Sequence, residues 1–267
     1  MLDFAAIKAR QQATWADGDF GMIAWNTVFT GELLCEAAGV RAGQKALDVA
    51  CGSGNVALSA ARRFADAVGV DYVPALIERA RERAAAERLP ARFEVGDAEA
   101  LPFEDASFDV VLSTFGVMFA PDQEKAASEL VRVCRPGGTI ALANWTPDGM
   151  WGELFKLHGR HLPPPAGVKP PPLWGTETRV RELLGSAVRD LRAEKRTAVF
   201  RHLSARHWFA FFRAHFGPTR MVLAQLDDAG RERFAHEVVA VLERFDRGGG
   251  DTLVAEAEYL EVVGTRA

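Results

Sequence analysis

Gly52, Gly54 and Ala57 form a G-x-G-x-x-A spacing directly after the apolar run Ala46-Leu47-Asp48-Val49-Ala50. Glycines at such a turn let a ligand approach the backbone closely, and a helix starting behind them offers amide donors that lack intrahelical partners. A nicotinamide cofactor, a flavin or nothing at all can sit on a turn of this kind. Asp71 ends a second run, at Val70-Asp71-Tyr72, where a carboxylate can accept from both hydroxyls of a ribose; its plainer use is to cap a helix starting at Pro74. Asp48 lies inside the first run, where a charge facing a packed sheet is costly unless it meets amide donors or a cationic ligand. A ligand with an ammonium group and no pyrophosphate fits that demand. In Gly96-Asp97-Ala98-Glu99, Asp97 ends a third run at the same edge as Asp71, placed to accept from an adenine amino group beside the Ala98 amide.

Histidines supply the candidate bases. His158 and His161 sit three apart ahead of a proline-rich stretch, while His202, His207 and His215 flank an aromatic segment. His207, next to Trp208, is the candidate for deprotonating a hydroxyl. No third ligand accompanies the His158–His161 pair, so no metal site is expected. Arg201, Arg206, Arg213 and Arg220 lie in the same region and would suit a carboxylate or phosphate, whereas its Phe, Trp and Leu residues suit an apolar acceptor.

These residues need elements to hold them. Short strands at 46–50, 67–70, 92–95, 108–113 and 139–143 alternate with helical spacing at 55–64, 74–88 and 123–134, a rhythm that calls for a parallel sheet covered on both faces. Helical spacing at 4–15 and 25–38 precedes the first strand. Arg135-Pro136-Gly137-Gly138 stops one helix and turns the chain into the next strand. After Trp145 the rhythm breaks. Six prolines in 163–172 read as an extended connector, followed by a helix at 176–184, a strand at 196–201, an aromatic helix at 205–216, a helix at 230–245 and a last strand at 259–263.

With 267 residues, 48% apolar and 25% charged, the chain has the make-up of a globular protein able to bury its own core. A formal charge of -4 gives no overall cationic field for nucleic acid. Three cysteines, Cys35, Cys51 and Cys134, are far apart and form no C-x-x-C pair, which fits a reducing cytoplasm; Cys51 is expected to be buried and inert. No apolar run approaches the roughly 20 residues of a membrane span, and no signal peptide is evident.

Taken in order, Leu47-Asp48-Val49-Ala50-Cys51-Gly52-Ser53-Gly54, Gly69-Val70-Asp71, Gly96-Asp97-Ala98-Glu99-Ala100-Leu101-Pro102-Phe103 and Arg132-Val133-Cys134-Arg135-Pro136-Gly137-Gly138 resemble the class I S-adenosylmethionine-dependent methyltransferases. The likeness is to the branch of menaquinone and ubiquinone biosynthesis enzymes and related small-molecule methyltransferases, and it covers about residues 40 to 146. It implies an α/β fold: a Rossmann-like, seven-stranded, mostly parallel sheet with an antiparallel last strand, an N-terminal helical cap and a helical insertion after the fifth strand. One domain is expected, divided into a cap (1–40), a cofactor-binding core (41–146), a connector with a sheet strand and an acceptor lid (147–245), and a terminal strand (246–267). The cofactor implied is S-adenosyl-L-methionine, with Gly52 and Gly54 near its methionine part, Asp48 facing its cationic groups, Asp71 and Tyr72 at the ribose and Asp97 with Ala98 at the adenine. Thr114 lies beside the methyl group, and Trp15 closes over the cofactor from the cap. Phe115 and Phe119 are candidates to face the sulfonium.

The implied activity is methyl transfer to a small, aromatic or apolar acceptor, on oxygen, nitrogen or carbon. Two other readings are a non-catalytic S-adenosylmethionine-binding protein and, from the glycine turn alone, an NAD(P)-dependent oxidoreductase. A Tyr-x-x-x-Lys pair is missing from the chain, which weighs against the latter. Expected partners are the acceptor alone, with no nucleic acid and no membrane span, in a monomer or homodimer.

Overall fold

The computed structural model describes residues 3–267. Three leading helices, α1 (Phe4–Ala16), α2 (Phe20–Ala24) and α3 (Val28–Ala37), precede an alternating series. That series is β1 (Lys45–Val49), α4 (Asn55–Arg62), β2 (Asp66–Asp71), α5 (Pro74–Glu87), β3 (Arg92–Val95), β4 (Phe108–Thr114), α6 (Gln123–Val133) and β5 (Cys134–Trp145). Next come α7 (Met150–His161), α8 (Glu177–Leu184) and β6 (Val188–His202), then α9 (Ala205–His215), α10 (Gly217–Ala224), α11 (Asp228–Arg244) and β7 (Leu253–Arg266). All seven strands join one sheet in the order β3-β2-β1-β4-β5-β7-β6. Neighbours from β3 to β5 pair parallel, and β7 runs antiparallel to β5 and β6. This is the Rossmann-like fold class expected from the sequence.

Consecutive residues Ala46, Leu47, Asp48 and Val49 of β1 are all buried, as are Val110 to Ser113 of β4. Successive strand side chains point to opposite faces, so both faces of the central sheet are covered. Side-chain caps start several of the helices. Asp122 accepts from the Lys125 amide at 2.9 Å, Ser204 from His207 at 3.0 Å and Asp227 from Gly230 at 2.7 Å, each satisfying an amide that a helix start leaves without a partner.

Four features differ from the sequence reading. Residues 150–161, where the rhythm looked broken, form α7, whose Trp151, Leu154 and Leu157 are buried. Arg135-Pro136-Gly137-Gly138 is carried inside the long β5, where the register with β4 shifts between Phe108 and Val110, so the segment acts as a bulge. β6 starts eight residues before the expected Arg196, because its first half is a charged run that forms an outer edge of the sheet, and edge strands use charge to discourage further pairing. Helices expected as one insertion after the fifth strand are divided by β6 into two groups, α7–α8 before it and α9–α11 after it.

Leu112 is fully buried at the centre of β4, and Phe64 is 82% exposed at the end of α4. Leu112→Ala is expected to lower unfolding stability by about 2–5 kcal/mol, and Phe64→Ala to change it by less than about 0.5 kcal/mol. Urea unfolding of both variants measures this; similar losses in the two would show that the sheet centre is not where the stability resides.

Candidate functional site

Strands β1 to β4, with β5 and β6, end along one edge of the sheet, and α1, α2 and α7 lie across that edge. Between them is a cleft enclosing about 1220 Å3 of empty space, its open mouth included. A cleft outside the carboxyl ends of parallel strands is where this architecture binds ligands.

Acidic groups occupy one half. Asp71, at the end of β2, is buried; its Oδ2 accepts from the Gly52 amide and its Oδ1 from the Val73 amide, each at 2.9 Å. Each carboxylate oxygen keeps accepting capacity for a ligand hydroxyl. Asp48 in β1 accepts from the Ala57 amide at 3.0 Å, which ties the strand to the first turn of α4. Burial pushes the Asp48 carboxyl up to about 8, against the pull of the Ala57 amide and helped by the neighbouring charge of Asp71. Burial likewise pushes Asp71 up to about 6, although the Val73 and Gly52 amides oppose it. Two buried acids side by side favour a cationic ligand.

Tyr72, Asp97 and Ala98 also line this half. Asp97 carries a partner that its sequence setting does not reveal. Lys8 of α1 places its Nζ 2.5 Å from Asp97 Oδ2 and 2.9 Å from Glu99 Oε2, so the cap helix is latched onto the segment after β3. Two more α1 side chains reach across: Gln12 donates to the Tyr72 carbonyl and Gln11 to the Phe119 carbonyl. Trp15, in the last turn of α1, meets Phe20, Phe119 and Phe216 edge-on, with ring centroids 5.5, 4.8 and 5.8 Å away.

Gly52 lines the cleft, but Gly54 does not. With φ at +87°, Gly54 makes room for Phe93: an added Cβ would lie 2.8 Å from that ring. Its constraint is packing, not ligand approach. Cys51 lines the cleft beside Gly52, and burial raises its thiol well above the ordinary range, which leaves it unreactive.

Aromatic groups occupy the other half. Thr114 and Phe115 at the end of β4, Trp145 at the end of β5, Trp151 and Phe155 on α7 and Phe200 on β6 form its walls. Phe115 stacks flat on Trp145, with centroids 3.6 Å apart and planes 4° apart. Phe115 also holds φ at +58°, an uncommon value for a bulky residue. The Thr114 hydroxyl and the Trp151 indole nitrogen are buried without a hydrogen-bond partner.

Among the described residues, no histidine lines the cleft. His207 is exposed on α9 with its Nδ1 3.3 Å from His202 Nδ1, which corrects the expected base. Helix geometry is the reason: Trp208, Phe209 and Phe212 face the core, and a residue next to Trp208 is turned about 100° away from it. Arg201, Arg206, Arg213 and Arg220 also lie outside the lining, and Arg220 pairs with Asp17 at 2.9 Å. Trp151 and Phe155 went unread from the sequence, although their i, i+4 spacing was available as a helical signal. Lys8 and Gln11 carry no local signal at all. No group of three or more potential metal-ligating side chains is present among the described residues. No helix among them is long and apolar enough to cross a membrane.

Residues 47–142 match the family model described as a methyltransferase domain. An uncharacterised protein of Mycobacterium tuberculosis is 40% identical over 225 residues, covering 83% of this chain and 82% of its own. The demethylmenaquinone methyltransferase of Deinococcus radiodurans is 39% identical over 129 residues, 47% of this chain and 54% of that protein. In fold, the chain is similar to a phosphoethanolamine N-methyltransferase of Haemonchus contortus, solved with phosphomonomethylethanolamine and S-adenosylhomocysteine. That match has a TM-score of 0.62 at 18% identity and covers 100% of this chain and 60% of the other.

Asp48 and Asp71 keep their protons in the folded protein at pH values where an unfolded chain has lost them. Their contribution to stability is therefore complete below about pH 4 and fades as pH rises through about 6 for Asp71 and about 8 for Asp48. At about pH 5–6 His158 and His202, each pushed down to about 4 by burial, act in the opposite sense, so thermal unfolding of the protein alone is expected to give a midpoint that falls between about pH 7 and pH 8, where Asp48 still holds its proton. Asp48→Asn should flatten most of that slope, and a midpoint that rises across the same window would refute the assignment.

Proposed function

The chain belongs to the class I S-adenosylmethionine-dependent methyltransferases, and on that premise we propose that it methylates a small aromatic or apolar metabolite. What carries this reading is the division of the cleft, with carboxylates at the ends of β1, β2 and β3 and aromatic rings at the ends of β4, β5 and β6. Membership in this family replaces the oxidoreductase reading of the glycine turn.

The donor set suits the cofactor. Asp71 is the group to receive ribose hydroxyls, because its two oxygens are held in place by the Gly52 and Val73 amides. Asp48 is the buried carboxyl that an ammonium group would meet, and a positive charge beside it favours loss of the proton that burial holds on it. Asp97 and Ala98 sit where the adenine would lie, and Lys8 must share or yield its contact with Asp97 there. Thr114, Phe115 and Phe119 stand at the junction of the two halves. When bound, the cofactor supplies a methyl group already activated on a positive sulfonium.

The chain's own task is then position and exclusion of water. Ring faces of Phe115 and Phe119 attract a cation at the junction, and Trp15, Phe20 and Phe216 cover the cleft from the cap side. Lys8, Gln11 and Gln12 hold α1 by polar contacts, and Ile7 and Trp15 add apolar packing, Trp15 against Phe20, Phe119 and Phe216.

Calorimetric titration with S-adenosylmethionine, S-adenosylhomocysteine and NAD is the direct test. Both adenosyl compounds are expected to bind and NAD is not. Asp71→Asn should weaken the adenosyl compounds roughly 10- to 100-fold, because one charged acceptor is lost while the loop amides keep a partner. Unchanged affinity in that variant would remove Asp71 from the site.

A further inference from the structure

Helix α5 carries three arginines, and one of them is placed unlike the others. Arg79 and Arg81 are exposed and pair with acids of their own helix, Glu82 at 2.8 Å and Glu78 at 2.5 Å. Arg83 is half-buried, and Glu87, the acid four residues on, pairs with Arg62 instead. The Arg83 Nη1 donates to three uncharged oxygens in the turn after β1: the Ser53 carbonyl at 2.6 Å, Ser53 Oγ at 3.1 Å and Asn55 Oδ1 at 2.8 Å. A cation held by neutral oxygens loses hydration without meeting an opposite charge, and burial pulls the guanidinium below its ordinary value. The amides at the start of α4 also disfavour a positive charge there. A contact this costly points to the geometry that it fixes.

Asn55 lines the cleft, with Gly52, Val56, Ala24 and Thr27. Because Arg83 donates to Asn55 Oδ1, the Nδ2 end of that amide faces the cap, where it donates to the Ala24 carbonyl at 2.8 Å and to the Thr27 hydroxyl at 3.4 Å. Turning the amide over would set N–H against guanidinium and oxygen against carbonyl. Arg83 thus decides how Asn55 joins the glycine turn to the cap. The same turn is held from a second side, since the Gly52 amide donates to Asp71. Both braces come from the β2–α5 unit, Asp71 at the near end of the turn and Arg83 at its far end. Arg83 is not itself in the lining, so it acts only through what it positions. In the sheet β1 stands between β2 and β4, and its turn therefore spans the stretch from Asp71 to the junction at Thr114 and Phe115.

We propose, resting on the methyltransferase reading, that Arg83 is a positioning residue for the amino-acid end of the cofactor: through Ser53 and Asn55 it holds the turn after β1 and the cap segment at Ala24 and Thr27 in the arrangement that receives the methionine part. The adenosine end is served by other residues, Asp71, Tyr72, Asp97 and Ala98, at and just after the ends of β2 and β3. Loss of Arg83 therefore falls on ligands that carry the tail.

Two ligands separate the two ends. S-adenosylhomocysteine has both adenosine and the amino-acid tail, whereas 5′-methylthioadenosine has the adenosine thioether alone. Calorimetric titration of wild-type protein, Arg83→Met and Arg83→Lys with each compound reads the difference. Arg83→Met keeps an apolar stem but no donor, and is expected to weaken S-adenosylhomocysteine roughly tenfold or more and 5′-methylthioadenosine by less than about twofold. Arg83→Lys keeps a donor for the Ser53 carbonyl and should show a smaller loss of the same selectivity; it carries the comparison if Arg83→Met does not fold. Retained 5′-methylthioadenosine binding shows that a variant is folded. The proposal is overturned if a folded variant weakens both ligands equally, which marks a general loss of structure, or if S-adenosylhomocysteine binds Arg83→Met as it binds wild type. Wild-type protein that binds S-adenosylhomocysteine but not 5′-methylthioadenosine also overturns it, because the adenosine end is then not held on its own. Failure of S-adenosylhomocysteine to bind wild-type protein would instead strike the methyltransferase reading beneath it.

Discussion

Burial of the Asp71 carboxylate is the constraint on which the cleft is built. Its two oxygens accept one amide from the turn after β1 and one from the turn after β2, so two loops that are distant in sequence share a single anchor. A buried carboxylate without such donors would be strongly destabilising, and the loops would have no common reference point. Asp48 repeats the arrangement one strand over, gripping the first turn of α4 through Ala57. The two acids compete for ionisation in the same dry space. That keeps the Asp48 carboxyl protonated near neutral pH beside Asp71, and the pair receptive to positive charge.

The order of strands converts this local device into a graded cleft. From β3 through β1 the strand ends contribute acids and glycine; from β4 through β6 they contribute rings. The junction between the two halves is backbone under tension. Ala50 and Phe115 hold φ at +54° and +58°, and a Cβ on Gly116 would lie 2.2 Å from the Ala50 carbonyl oxygen. Such conformations persist only where surrounding packing over-determines them, and they cluster at sites that must present groups in one orientation. Here the Phe115–Trp145 stack and the hydrogen bond from the Phe115 amide to the Ala143 carbonyl supply that packing.

Legibility of the site followed the range of the signals. Asp48, Gly52 and Asp71 are each part of a strand–turn–helix unit spanning a dozen residues or so, and a pattern of that length is written in local spacing. Trp151 and Phe155 announce a helix face but not which cavity it covers. Lys8 is a lone cation in a polar helix, and nothing near it in sequence indicates Asp97 or Glu99. His207 misled because neighbours along a helix face different directions, so closeness to Trp208 in the chain implied no closeness to the cleft.

The sequence by itself determined the fold class, the parallel core and the identity of the acids at the ends of the first three strands. Apolar periodicity and glycine turns act over a few residues, and a one-dimensional pattern can encode them. Tertiary structure alone decided that no titratable side chain lines the aromatic half of the cleft, that α1 latches over the third strand end, and that the charged run at 188–196 is an outer edge of the sheet. Each of these is a relation between segments scores of residues apart, fixed when sheet order and helix packing bring them to one edge. Local spacing carries no information about such distances; the joint burial of the whole core does.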